Sequence, residues 1–325
     1  MADILDLAAT NLISPVILSF VLGLVAALGR SDLTVPEAAA KALSIYLLFA
    51  IGFKGGAAVA ANGLDGTLLA TLTAGLVLSA VIPFVAFALL RVITKLSRID
   101  AAAVAGHYGS ISIVTFVAST SVLEGRAISS EGYMVAVAAI MEAPAILSAL
   151  WLVSSAGSGR RMDAELIREI LLNGSIVLLV GSFFIGLLTG ADGLASISSF
   201  IVAPFTGVLC LFLLDMGLVA GRGLRNARGV LNLGAVTFGV LMPIVGSLMG
   251  LGAGLLVGLS PGGVALLMTL SASASYIAVP AAMRVALPEA NPSVYLTLSL
   301  GVTFPFNLTI GIPLYVAISQ AVTGG

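Results

Sequence analysis

Charge is what this sequence has least of. Asp, Glu, Lys and Arg make up 9% of its 325 residues, against about 25% in a soluble domain. With 59% hydrophobic residues and a mean hydropathy of +1.18, the chain reads as a polytopic membrane protein. Cysteine is down to one, Cys210, which excludes an internal disulfide framework and any multi-cysteine metal site. One histidine, His107, leaves little room for imidazole chemistry. No His-Glu-x-x-His pattern occurs, so an intramembrane enzyme would lack both a ligand cluster and an activated nucleophile. A net charge of −1 makes no case for nucleic acid. The opening MADILDLAATN lacks the basic start of a cleaved leader, and the first span is expected to act as the targeting signal.

Long apolar runs are what it does have. A spanning helix needs about 20 predominantly apolar residues, and ten stretches qualify: Asn11 to Gly29, Ala42 to Ala60, Thr67 to Leu90, Ala101 to Leu123, Gly132 to Val153, Leu171 to Gly190, Phe200 to Gly221, Val230 to Leu255, Val264 to Leu287 and Ser293 to Ser319. Loop cations orient them, because Lys and Arg collect on the cytoplasmic side. Alternate loops gather Arg30, Lys41, Arg91, Lys95, Arg98, Arg160, Arg161, Arg168, Arg222, Arg225, Arg228 and Arg284 on one side and Arg126 alone on the other. That asymmetry puts both termini outside, in a multi-pass protein of the cell inner (plasma) membrane.

The chain also repeats itself. Ser110, Ser112 and Pro144 stand 161 residues before Ser271, Ser273 and Pro305; Pro83 precedes Pro243 by 160, and Gly52 precedes Gly217 by 165. Five spans per copy is an odd number, so the second copy enters the membrane inverted. The expected fold is an all-α integral membrane protein of ten helices in a 5+5 inverted repeat, with helices four and nine broken. Residues 1–155 form the first repeat, 156–170 a cytoplasmic connector within Ser154 to Ile170, and 171–325 the second repeat.

Each copy sets hydroxyls at alternate positions in mid-span, Ser110 and Ser112 in one, Ser271, Ser273 and Ser275 in the other. A broken membrane helix survives only where its free backbone groups face protein or a watery cavity, and paired interruptions in two halves point to a transporter's substrate site. Half-helix N-termini and hydroxyls can hold a small oxyanion without a cationic side chain. The expected anion ligands are Gly109, Ser110, Ile111 and Ser112 with Ser271, Ala272, Ser273 and Ser275. Close helix packing is the plainer use of such residues, but duplication at matching positions favours the site.

Glu142, in IMEAPAIL, is an ionisable group inside a span and so a functional candidate by default. Pro144 leaves the Ile140 carbonyl without its donor, and Pro305 does the same to Gly301 in TFPFN. Carboxylate, carbonyl and hydroxyl oxygens suit a hard cation, so Glu142, Thr303 and Asn307 are candidate sodium ligands. A protonated Glu142 carrying protons is the competing reading, and a neutral structural carboxyl the plain one. Lys54 and Asp215 fall in repeat-related spans, where a mutual ion pair would bury both cheaply; snorkelling to the interfaces is the alternative. His107 in GHYGS is either a proton sensor near neutral pH or a neutral histidine bonded at the helix break.

These motifs, GHYGSISIVTFVAST and SASASYIAVPAAMRVALPEANPSVY, resemble the sodium-dependent bicarbonate transporter family of the SbtA type over nearly the whole length. The resemblance implies a homotrimer whose protomers move a core part against a gate part like an elevator, importing bicarbonate with sodium as the coupling ion and no other cofactor. It also implies a small PII-like cytoplasmic regulator. Two features depart from the family pattern: the connector is short, and Tyr276 stands where an acidic residue is usual. Transport of another small carboxylate or oxyanion, with proton coupling, and a passive serine-lined channel are the other functions this architecture can serve.

Overall fold

The computed structural model describes residues 13–63, 66–154, 168, 172, 174–226, 232–276, 279, 280, 283, 287 and 289–324. Apart from Ser154 and Arg168, the expected connector Ser154 to Ile170 lies outside the described residues, as does Arg284. Every described element is helical: α1 (Pro15–Leu28), α2 (Glu37–Asn62), α3 (Gly66–Ile93), α4 (Arg98–Gly109), α5 (Ile113–Gly125), α6 (Met134–Ile140), α7 (Glu142–Ser154), α8 (Gly174–Ile201), α9 (Phe205–Asn226), α10 (Leu233–Val257), α11 (Pro261–Ala272), α12 (Pro292–Leu296) and α13 (Ile312–Thr323). Two π-helical stretches, Thr297–Thr303 and Asn307–Gly311, flank the turn Phe304–Phe306 between α12 and α13.

Among the described residues eight helical stretches are long and apolar enough to cross a membrane, with Arg98–Gly125 counted as one and Pro292–Thr323 as another. Pro15–Leu28 and Pro261–Ala272 are apolar but shorter. The protein is therefore a multi-pass, all-helical membrane protein. Its centre and periphery are easily told apart: the apolar stretch of Arg98–Gly125 is 94% buried, against 17% for that of Ile176–Ile201.

The helices sort into two bundles. In the first, α1 packs along α9 and α2 along α8. Glycines let these backbones touch: a Cβ on Gly56 would overlap the Phe183 carbonyl, and one on Gly217 the Phe20 carbonyl. Close approach through small residues is the usual way helices associate in lipid, where hydrophobic burial gives no drive. In the second bundle α3, α4 and α7 pack on one another, and α11 packs on α10 and α13. Phe20 of α1 meets Phe304 edge to face at 5.2 Å and so joins the bundles.

Serine and asparagine caps fix where the central helices begin. Ser97 caps α4, and its hydroxyl donates to Asp100 at 2.7 Å. The other Asp100 oxygen accepts from the Asn291 amide at 2.8 Å, docking the segment before α12. At α11 the Glu131 carboxylate accepts from the Ser260 amide at 2.7 Å and its hydroxyl at 3.1 Å, a placement the helix dipole favours. Both carboxylates come from the first half, and each ties it to a segment of the second half at the start of a central helix.

The expected ion pair of Lys54 with Asp215 is not formed. Lys54 Nζ lies 3.2 Å from Glu124 Oε1 and 4.9 Å from the centre of the Phe205 ring. Phe205 begins α9, and Asp215 stands ten residues further on, roughly 15 Å along the helix at 1.5 Å per residue. Repeat-related positions share equivalent surroundings; they need not face each other, and here α2 and α9 have α8 and α1 as their main partners.

Candidate functional site

The two serine runs interrupt their helices and meet. α4 ends at Gly109; Ser110 (φ −87, ψ 151) and Ser112 (φ −100, ψ 108) are extended, and α5 starts at Ile113. α11 ends at Ala272, and Ser273 (φ −83, ψ 162) leaves it extended. The Ser112 amide donates to Ser273 Oγ at 2.9 Å, and the Ser275 amide donates to the His107 carbonyl at 2.7 Å. Two non-helical segments 161 residues apart in the chain therefore cross by hydrogen bonds in the interior of the fold.

Each predicted anion ligand can be located there. Gly109, Ser110, Ile111, Ser112, Ser271, Ala272, Ser273 and Ser275 are all buried. Ser112 Oγ accepts from the Thr115 amide at 3.2 Å and so caps α5, leaving the first amides of that helix, which have no intrahelical acceptor, at the crossing. Ser275 Oγ accepts from the Val279 amide at 3.5 Å, a longer contact at the start of the following helical residues. Ser273 Oγ donates to the Leu270 carbonyl at 2.9 Å while accepting from Ser112. Ser110 Oγ and Ser271 Oγ, which are repeat mates, are buried without a hydrogen-bond partner. Ser271 Oγ faces α10 at Gly250, where an added Cβ would stand 2.9 Å away. Gly109 is wedged against the ring of Pro83, leaving no space for a side chain.

His107 sits one turn before the break. Its Nδ1 is 2.6 Å from the Ala103 carbonyl, which can only accept, so the ring carries its proton on Nδ1. The ring stacks on Tyr295 at 4.4 Å, and Nε2 is buried without a partner.

The predicted cation ligands are not gathered into one hydrogen-bonded group. Thr303 Oγ1 donates to the Gly239 carbonyl at 2.7 Å and accepts from the Tyr108 hydroxyl at 2.6 Å, joining three spans. Asn307 Nδ2 donates to the Ala272 carbonyl at 2.9 Å, and its Oδ1 accepts from the Tyr315 hydroxyl at 2.9 Å. Asn307 thus braces the last carbonyl of α11, at the edge of the break. Glu142 is buried at the start of α7, just past the turn at Met141. No described residue hydrogen-bonds its carboxyl. Among the described residues no group of three or more His, Cys, Asp or Glu side chains could hold a metal ion.

Sequence reasoning missed Tyr108 and Tyr315. Both had a signal: Tyr108 immediately precedes the break, and Tyr315 lies eight residues after Asn307, two turns on and on one face. It also missed the π-helical stretches. They flank the proline that removes a main-chain donor, and π turns inside helices are frequent at functional sites.

Two cavities flank α5 between the bundles. One, of about 290 Å³, is lined by Lys54, Phe116, Glu124, Glu131, Phe205 and Leu266. The other, of about 400 Å³, lies on the α1 side by Ile17, Ala118, Glu124, Arg126 and Thr206. Phe116 is one turn beyond Ser112, so the first cavity runs down α5 nearly to the crossing.

A search of curated proteins finds no match. The family comparison does match, over residues 15–320, a stretch that contains both interrupted segments and both bundles. The chain belongs to the Na+-dependent bicarbonate transporter superfamily.

Proposed function

We propose that this protein is a secondary active transporter that imports bicarbonate with sodium and holds the anion where the two interrupted spans cross. The observation that carries the reading is the Ser112 amide to Ser273 hydroxyl bond between repeat mates, buried beside the unpartnered hydroxyls of Ser110 and Ser271. A bicarbonate ion accepts several N–H and O–H donors and offers one O–H of its own. The amides at the start of α5 and the serines of the crossing supply the donors. Carbonyls exposed by the breaks supply the acceptor.

A ten-span, 5+5 inverted arrangement is supported by how the packing partners exchange. α1 on α9 maps onto α8 on α2, α3 on α4 maps onto α10 on α11, and α4 on α7 maps onto α11 on α13. In this reading Pro15–Leu28 is the described part of span one, and Pro261–Ala272 begins the broken span nine. The first bundle is the gate and the second the core, which slides against it and carries the crossing from one side of the membrane to the other. Both termini face outside, as the loop cations imply. The poorly buried face of α8 suits a homotrimer contact. A PII-like regulator remains an expectation from the resemblance alone.

Sodium binds at the oxygen-lined turns around Pro144 and Pro305, with Glu142, Thr303 and freed carbonyls as ligands. One observation favours a second reading, proton coupling with another small carboxylate or oxyanion as cargo: Glu142 is buried with no described hydrogen-bond partner. Labelled bicarbonate uptake into proteoliposomes separates the two. Accumulation is expected under an inward sodium gradient and not when choline replaces sodium, with excess acetate or nitrate competing weakly. Accumulation of another labelled oxyanion under a proton gradient without sodium, absent from protein-free liposomes, would transfer the conclusion to the second reading.

A further inference from the structure

The geometry points to Lys54 as the residue that first receives the transported anion, taking it from the outer crevice before the helix crossing does. This rests on the anion-transport reading above. Lys54 lies eight residues before the end of α2, roughly 12 Å in from that end. Its side chain is 28% exposed, and it lines the 290 Å³ cavity whose inner residues, Phe116 and Leu266, lie on the two interrupted spans. Among the described residues it is the only cation lining that cavity.

Among the described residues the charges facing Lys54 from the packed elements are Glu124 on α5 and Glu131 in the loop before α6. Glu131 is committed to the amide and hydroxyl of Ser260. Glu124 alone competes for the ammonium, through one oxygen at 3.2 Å, and its side chain is 62% exposed. A pair that open to water gains little over its separated ions. A bicarbonate ion offers the ammonium the same kind of oxygen and is far smaller than the cavity. Lys54 can therefore pass from Glu124 to the anion, with the Phe205 ring keeping the ammonium in position. Lys54 and Phe205 belong to the first bundle, and Glu124 to α5, which packs on α11 of the second, so the exchange occurs at the boundary where the bundles slide.

The test is KM and kcat for sodium-driven bicarbonate uptake by wild type, Lys54→Gln, Lys54→Arg and Glu124→Gln in proteoliposomes. Lys54→Gln is expected to raise KM about fivefold to tenfold with kcat little changed, because a charge at the rim of a site acts chiefly on capture. Glu124→Gln, which frees the ammonium, should lower KM, and Lys54→Arg should stay near wild type. Raising ionic strength with choline chloride should narrow the gap between wild type and Lys54→Gln. A simple latch between the bundles would move Lys54→Gln and Glu124→Gln in the same direction, and that result overturns the inference. So does an unchanged KM in Lys54→Gln. Should Lys54→Gln fail to fold, the fall in KM of Glu124→Gln and the salt dependence of wild type decide. Loss of sodium-driven uptake in wild type would instead remove the transport reading itself.

Discussion

Ser273→Ala is expected to lose at least about nine-tenths of sodium-driven bicarbonate uptake while the protein still folds and inserts, because a buried donor left unsatisfied costs about 1–3 kcal/mol. Ser273 Oγ is the acceptor for the Ser112 amide and the donor to the Leu270 carbonyl. Alanine keeps the backbone path but strands that amide in a site where Ser273 is 1% exposed. The penalty falls on the crossing and spares the helices that carry it. Ser196→Ala is the matched control, since that hydroxyl bonds only within α8 at an exposed position. Wild-type uptake by Ser273→Ala, at equal amounts of reconstituted protein, would show that the crossing is only packing.

The second large effect is expected at Asn307. Asn307→Asp replaces the amide that donates to the Ala272 carbonyl with a carboxylate oxygen, which repels it. The Tyr315 hydroxyl can still donate, so one bond survives. A fully buried charge without its second partner costs about 3 kcal/mol or more. Melting temperature in detergent should fall by several degrees, and uptake should be lost at all sodium concentrations. If Asn307 were chiefly a sodium ligand, Asp would be the stronger one. The variant would then transport with half-saturation at lower sodium, an outcome that contradicts the bracing role.

What was legible in the sequence follows from how local each cause is. Hydroxyls at alternate positions in an apolar run mark places where a helix is readily left, and Arg98–Gly109 and Pro261–Ala272 end beside them. Charged residues were less legible. Lys54 and Asp215 invited pairing because the repeat relates their spans, yet which face of α2 meets which neighbour depends on glycine contacts such as Gly56 on Phe183. A sequence offset carries no such information. Thr303 and Asn307 were read as oxygen donors to a cation because their types allow it. Their neighbours Tyr108, Gly239, Ala272 and Tyr315 come from four different segments, and only the packed fold reveals which hydrogen-bond partners they have.

The most direct measurement is a structure of the purified protein in lipid with bicarbonate and sodium present. An anion within hydrogen-bond distance of the amides that open α5 and of the Ser273 to Ser275 segment is the result expected. Density for the anion elsewhere, with the Ser112 to Ser273 contact closed and no space beside Ser110 or Ser271, would contradict the account at its centre.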